Sequence, residues 1–274
     1  MAEKSKKVSI EERFARLQNA LERSEVGLNP KIQRVAHSLV GDGTMHYEKY
    51  FSPKLMSLGP IHYGAPKLQL GEQYKQMWAA MFLSSTNQIR QLLHRKIAEN
   101  VELLKQLFAP HLFTGNHLFS NYSDQGFHDM DEMISWTLFV DGCALLRILE
   151  HADVYQPEKM NVKVEQLILA AQDVLLLENQ LPYALLKLLW RGTTEVELIQ
   201  TMKQFVCYDN WAAVDPREVH MEFPPPAHLL HLHRSIILYD FRPKDHYKKL
   251  MISNRYEDED IFELSISIYS TTLL

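Results

Sequence analysis

Apolar positions recur at helical spacing along most of this chain, beginning with Ile10, Phe14, Leu17 and Leu21, which are separated by Glu, Arg and Asn. That period defines an amphipathic N-terminal helix, and Ser9 with Glu12 three residues on is the capping-box signal that starts it. Gly27 and Asn29-Pro30 end it, and Ile32, Val35, Ala36 and Leu39 give a short second apolar face before Gly41-Asp42-Gly43. Because the first stripe is narrow, docking on the body of the chain is its expected fate, with docking on a partner the alternative. Tyr74, Met77, Trp78 and Met81 mark another helix face, and Ile89, Leu92, Leu93, Ile97, Val101, Leu104 and Phe108 mark a long one that Pro110 stops. After Asp129, which can cap with Glu132, the run from Ile134 to Leu149 is apolar nearly all round, as in a central helix buried on most sides. Val164, Leu167, Ile168 and Ala171 carry the period onward, and Glu195 to Phe205 turns Val196, Ile199, Met202 and Phe205 inward. At the end, a charged run from Arg255 to Asp260 leads into Phe262, Leu264, Ile266 and Ile268 at strand period, without a sheet partner.

These elements predict a mainly all-α fold. It consists of an N-terminal amphipathic arm over residues 1–30, an irregular helical core over 31–238 and a charged, strand-like tail over 239–274. Three stretches break the helical pattern. Tyr50 to Pro66 carries three prolines and two glycines, which predicts a semi-rigid strap laid over the helices with Tyr50, Phe51 and Tyr63 as anchors. Its glycines fit no phosphate-binding loop; His62 and Tyr63 are its residues that can line a pocket. His111 to His128 reads as a loop anchored by Phe113, Phe119 and Tyr122. Asp173 to Trp190 reads as two buried helical pieces meeting at a bend, because Pro182 cannot donate to the Glu178 carbonyl and its ring crowds it. Asn179 or Gln180 can donate to the carbonyls so freed, or Asn179 can cap a new helix with Pro182 in its first turn.

Composition narrows the function classes. Thirty-four carboxylates against 29 Lys and Arg leave a net charge of −5, so no global basic field gathers phosphates, and nucleic acid is not the expected partner. The basic group Arg90, His94, Arg95 and Lys96 lies off the apolar stripe and reads as a solvated face. Cys143 and Cys207 make no disulfide framework, which suits a reducing compartment, cytoplasmic or at a membrane surface. The charged start lacks the apolar core of a signal peptide. Trp136 to Leu149, interrupted by Asp141 and Arg147, falls short of the ~20 residues a membrane span requires.

Asp141 is the anomaly of the central helix, since a buried carboxylate must be paired, hydrogen-bonded or protonated. It is either a general acid or base, or a structural Asp that pairs with an Arg or caps a neighbour admitted by Gly142 and Ala144; the structural reading is the expected one. Cys143 reads as a small core hydrophobe. Behind Pro224-Pro225-Pro226, His228 and His231 share a helical face while His233 lies well over ~100° away, so the three do not converge on one metal. No metal or cofactor is expected. Nor does the sequence carry a nucleophile elbow, a zinc-hydrolase helix, a nucleotide loop or a paired-carboxylate motif.

Four blocks carry a family likeness. They are Ser57-Leu58-Gly59-Pro60-Ile61-His62-Tyr63-Gly64, Val140-Asp141-Gly142-Cys143, Leu177-Glu178-Asn179-Gln180-Leu181-Pro182 and His228-Leu229-Leu230. In order and spacing they resemble the plant "domain of unknown function 247" family over about Ile32 to Leu238. The resemblance implies a predominantly helical protein without established catalytic residues, whose longer members end in a hydrophobic segment taken as a membrane anchor. Beyond Leu238 the likeness fades, which reads as a truncated copy lacking the second half and the anchor. Some grass members are associated with pollen self-incompatibility, so the resemblance implies a non-enzymatic recognition role with a protein partner. The alternatives are an enzyme using Asp141, Glu178, His62 and Tyr63 in a cleft, and a non-functional remnant marked by a large exposed apolar patch.

Overall fold

The computed structural model describes residues 9–26, 31–36, 44–86, 89–114, 119, 121–208 and 225–240. By its contacts the chain divides into Met1–Lys31 and Ile32–Leu274. The first unit holds one helix, α1 (Ile10–Val26), opened by the reciprocal cap: Glu12 N donates to Ser9 Oγ, and Ser9 N donates to the Glu12 carboxylate. Within this helix Ile10, Phe14 and Leu17 are 59–66% exposed.

The second unit is built around α7 (Met130–His151). Asp129 Oδ1 caps it by accepting from Glu132 N, and the Glu132 carboxylate accepts from His128 N, one residue outside the expected reciprocal partner. Against α7 pack α3 (Gln69–Ser85), α4 (Arg90–Glu99), α5 (Val101–Gln106), α9 (Tyr183–Leu189) and α10 (Glu195–Tyr208). Shorter or peripheral helices are α2 (Thr44–Tyr50), α6 (His111–Thr114), α8 (Val164–Asp173) and α11 (Leu229–Asp240), giving eleven α-helices and no strand among the described residues. Fourteen of the 22 residues of α7 are buried, as a helix apolar on all sides requires.

Several predicted faces shift. Ile32 to Ala36 forms no helix: Ile32 makes a single parallel bridge with Phe108, donating to Leu107 O and accepting from Ala109 N. The long face from Ile89 to Phe108 breaks at Asn100, whose amide donates to Lys96 O and competes with the helical ladder; Ile89, Leu92 and Leu103 end up exposed. In α3 the buried stripe is Gly71, Lys75, Trp78, Ala79 and Phe82, with Tyr74, Met77 and Met81 flanking it half-buried. In α10 Val196 is 74% exposed, because it lies roughly 200° around the helix from Leu198, which leads the buried stripe through Met202, Phe205 and Val206. Phe113 and Phe119 are buried and Tyr122 packs on the core, as the loop from His111 was expected to anchor; Pro225 is exposed and Pro226 buried. The basic residues Arg90, Arg95 and Lys96 are exposed, while His94 is half-buried edge-on to Trp136 and Phe139. Leu39, Gly41-Asp42-Gly43, Pro224, the charged run from Arg255 and the strand period at 262–268 lie outside the described residues.

Candidate functional site

Between Tyr50 and Pro66 the strap has no regular structure, yet from Phe51 to Ile61 every residue but Lys54 is buried. Buried backbone without a ladder must find its hydrogen bonds elsewhere. Three side chains supply six of them. Asp173, at the end of α8, accepts from Lys54 N, Leu55 N and Met56 N at 2.9, 2.7 and 2.9 Å. Asn179 accepts from Leu58 N at 2.6 Å and donates to Met56 O and Asp173 O. Asp141, midway along α7, accepts from Gly59 N at 2.8 Å. Gly59 has a φ of 68°, a conformation L side chains rarely adopt, and a Cβ there would press on Gln180 O. The strap is therefore held by carboxylates and an amide, with Phe51, Leu55, Met56, Leu58 and Ile61 as its apolar anchors.

The segment that supplies Asn179 differs from the expected pair of helices. Helix α8 stops at Asp173, residues 174–182 form a series of turns, and α9 begins at Tyr183 with Pro182 as its N-cap rather than inside its first turn. The freed carbonyls belong to Asp173, Val174 and Leu176 rather than Glu178. Asn179 serves the first, and Gln180 Nε2 donates to the other two at 2.9 and 2.7 Å. Gln180 Oε1 faces the other way and accepts from Leu230 N, so the same residue fastens the start of α11.

Glu178, 1% exposed, gathers the chain on the N-terminal side of the strap. It accepts from Val35 N at 2.7 Å and from the Tyr47 hydroxyl, with His62 Nε2 at 3.2 Å and Arg34 Nη1 at 3.6 Å. Burial opposes its charge, but the His62, Tyr47 and Val35 contacts outweigh that and hold the carboxyl below its ordinary value. The Tyr47 phenol is pushed up by burial and by this neighbour.

Asp141 has a lysine where an arginine or a helix cap was expected. Lys75 Nζ lies 2.6 Å from Asp141 Oδ1, both side chains being 1% exposed, and 2.8 Å from Glu72. Burial opposes the ammonium, yet the two carboxylates raise its pKa. Burial pushes Asp141 up to about 6 while Lys75 pulls the other way, so both are charged at neutral pH. Cys143 is a fully buried hydrophobe whose thiol burial pushes up to about 12. Gly142 admits α9, a Cβ there falling 2.4 Å from Leu189 Cδ1.

The signature residues thus meet around one strap. Gly59, Asp141 and Asn179 share its middle, where Pro60 is buried; His62 reaches Glu178, and Gly64, at φ 74°, turns the chain toward α3. Gln180, Pro182 and His228 belong to the α9–α11 end. Of the four residues suggested for a cleft, only His62 and Glu178 touch; Tyr63 stacks on Phe119 and donates to Gln125. Both oxygens of Asp141, Asp173 and Glu178 have partners. Sequence reasoning missed Asp173, Lys75, Tyr47 and Gly71. Asp173 directly precedes the apolar run and Lys75 sits on an apolar face, so both carry the mark that singled out Asp141.

These features define an all-α scaffold in which buried polar side chains replace secondary structure along an irregular strap. A family model described as DUF247, plant protein of unknown function, matches residues 32–267, and the chain belongs to that family. The match continues well past Leu238, where the likeness was expected to fade. UPF0481 protein At3g47200 of Arabidopsis thaliana is 26% identical over 151 residues, which cover 53% of this chain and 28% of that protein. No solved structure matches. No helix among the described residues is long and apolar enough to cross a membrane.

Replacing Asn179 with Ala strips one donor and two acceptors of the buried backbone of their partner. At about 1–3 kcal/mol per unsatisfied group, a loss of roughly 3 kcal/mol is expected by urea unfolding. Pro182→Ala removes only a fixed φ at the N-cap and is expected to cost about 1 kcal/mol. A melting temperature unmoved in both variants contradicts this account of the turn.

Proposed function

We propose that the chain is a non-enzymatic recognition protein of the plant cell that works through a protein partner. The observation supporting this reading is that its distinctive polar residues are spent on holding backbone: Asp141, Asp173, Glu178, Asn179 and Gln180 are all at most 2% exposed and hydrogen-bonded. Such a frame fixes a surface rather than a reacting group. The link of some grass relatives to self-incompatibility and the membrane anchor of longer members extend the proposal to a cytoplasmic or membrane-peripheral recognition event. Trp136, 47% exposed beside Phe139 and His94, is the residue type that anchors interfaces.

The second reading, an enzyme, is favoured by the 3.2 Å approach of His62 to Glu178. One experiment separates the two: photo-crosslinking in plant cells beside turnover assays with chromogenic ester, phosphate and glycoside substrates. Recognition predicts a discrete cross-linked protein lost in Trp136→Glu and no turnover that depends on His62. Turnover abolished by His62→Gln at unchanged melting temperature overturns the proposal.

A further inference from the structure

Helix α11 begins with histidines where Ser, Asp or Asn ordinarily stand. His228 is its N-cap, and Nδ1 accepts from His231 N at 3.2 Å. Reciprocally, His231 Nδ1 accepts from Ala227 N at 3.0 Å. This is a capping box made of two imidazoles whose ring centroids lie 6.2 Å apart. A backbone N–H can only donate, so each Nδ1 facing one must be unprotonated. Further along the helix stands His233, 1% exposed, and among the described residues neither of its ring nitrogens has a hydrogen-bond partner. A second proton on that ring would place a charge in the core with no acceptor among the described residues.

Among the described residues, no carboxylate is paired with these three rings. Helix α10, packed against α11, contributes buried Lys203 and Cys207. Residues 180–183 contribute Gln180, which accepts from Leu230 N, and Tyr183, whose N–H donates to Ala227 O and whose phenol donates to Glu195 beside Lys187. Among the described residues, the histidine–carboxylate contacts are those of His62 and His151, not of these three.

We propose that the start of α11 is an acid-sensitive latch, in which protonation of His228 or His233 breaks the imidazole cap or the buried contact and frees α11 from α10 and residues 180–183. Titration has the sign the geometry demands. Burial, then His231, lowers His228 to about 4, and burial lowers His233. A histidine depressed in the folded state contributes stability fully present above about pH 6.5 and lost as pH falls toward about 4. Release of His228 from about 4 to its ordinary 6.5 multiplies the opening equilibrium about 30-fold between about pH 7.5 and pH 5.

Amide hydrogen exchange followed by mass spectrometry on the full chain tests this, with intrinsic exchange rates corrected at each pH. Protection of the α11 amides is expected to fall about 30-fold or more over that interval while those of α7 hold. In His228→Asn, whose Oδ1 accepts the same N–H without titrating, the fall shrinks; in the His228→Asn/His233→Phe double variant it shrinks further. Unchanged α11 protection in the wild-type chain, or loss in step with α7, overturns the latch. So does an equal fall in the double variant. The wild-type profile decides the matter even where a variant fails to fold.

Discussion

Gly71→Ala is expected to destabilise the protein by roughly 4 kcal/mol, near the upper end of point-substitution effects. A Cβ at Gly71 falls 1.9 Å from Leu55 O, 2.6 Å from Leu55 C and 2.7 Å from Met56 Cα, all backbone of the strap. The strap can retreat only by breaking the bonds that Leu55 N and Met56 N make to Asp173. Alanine gains about 0.5–1 kcal/mol over glycine inside a helix, too little to offset this. Gly142→Ala is the control, because its clash is with the methyl end of Leu189, which can turn aside. Guanidinium unfolding of both variants checks the contrast; equal losses mean the strap does not lie against α3 at Gly71.

Lys75→Met is the second large effect, at about 3–5 kcal/mol, because it leaves the Asp141 carboxylate buried without its cation. Asp141→Asn should cost less, since Lys75 keeps Glu72 and Ser57, and the amide oxygen still accepts from Gly59 N. The Lys75→Met/Asp141→Asn double variant should recover part of the loss, giving a coupling energy of about 1 kcal/mol or more in a double-mutant cycle. Acid should help the single variant. Burial already raises Asp141, and removal of Lys75 raises it further, so the folded state takes up a proton first and the deficit relative to wild type shrinks as pH falls from about 8 to 5. A deficit below about 1 kcal/mol, or one that grows in acid, contradicts the buried pair.

The apolar stripe of α1 is exposed along its own helix, and the family match begins after it, at residue 32. The arm and the family-matched region are thus separable in sequence, and an Ile10→Glu/Phe14→Glu chain adds a second arm to the cross-linking comparison proposed above.

The sequence by itself determined the helical class, the buried central helix and its Asp129 cap, the strap, and that Asn179 or Gln180 stood where freed carbonyls would need donors. All of these rest on local signals: a 3.6-residue period, proline and glycine density, and a polar triplet before a proline. Only the tertiary structure decided who meets whom. Asp173 and Lys54, 119 residues apart, and Lys75 and Asp141, 66 apart, are joined by packing that no local period encodes. The split of the helix at Asn100, the outward turn of Val196 and the non-helical run at Ile32 follow from the same cause. An apolar residue states only that it seeks burial, and the shape of the assembled core settles which face of each element receives it.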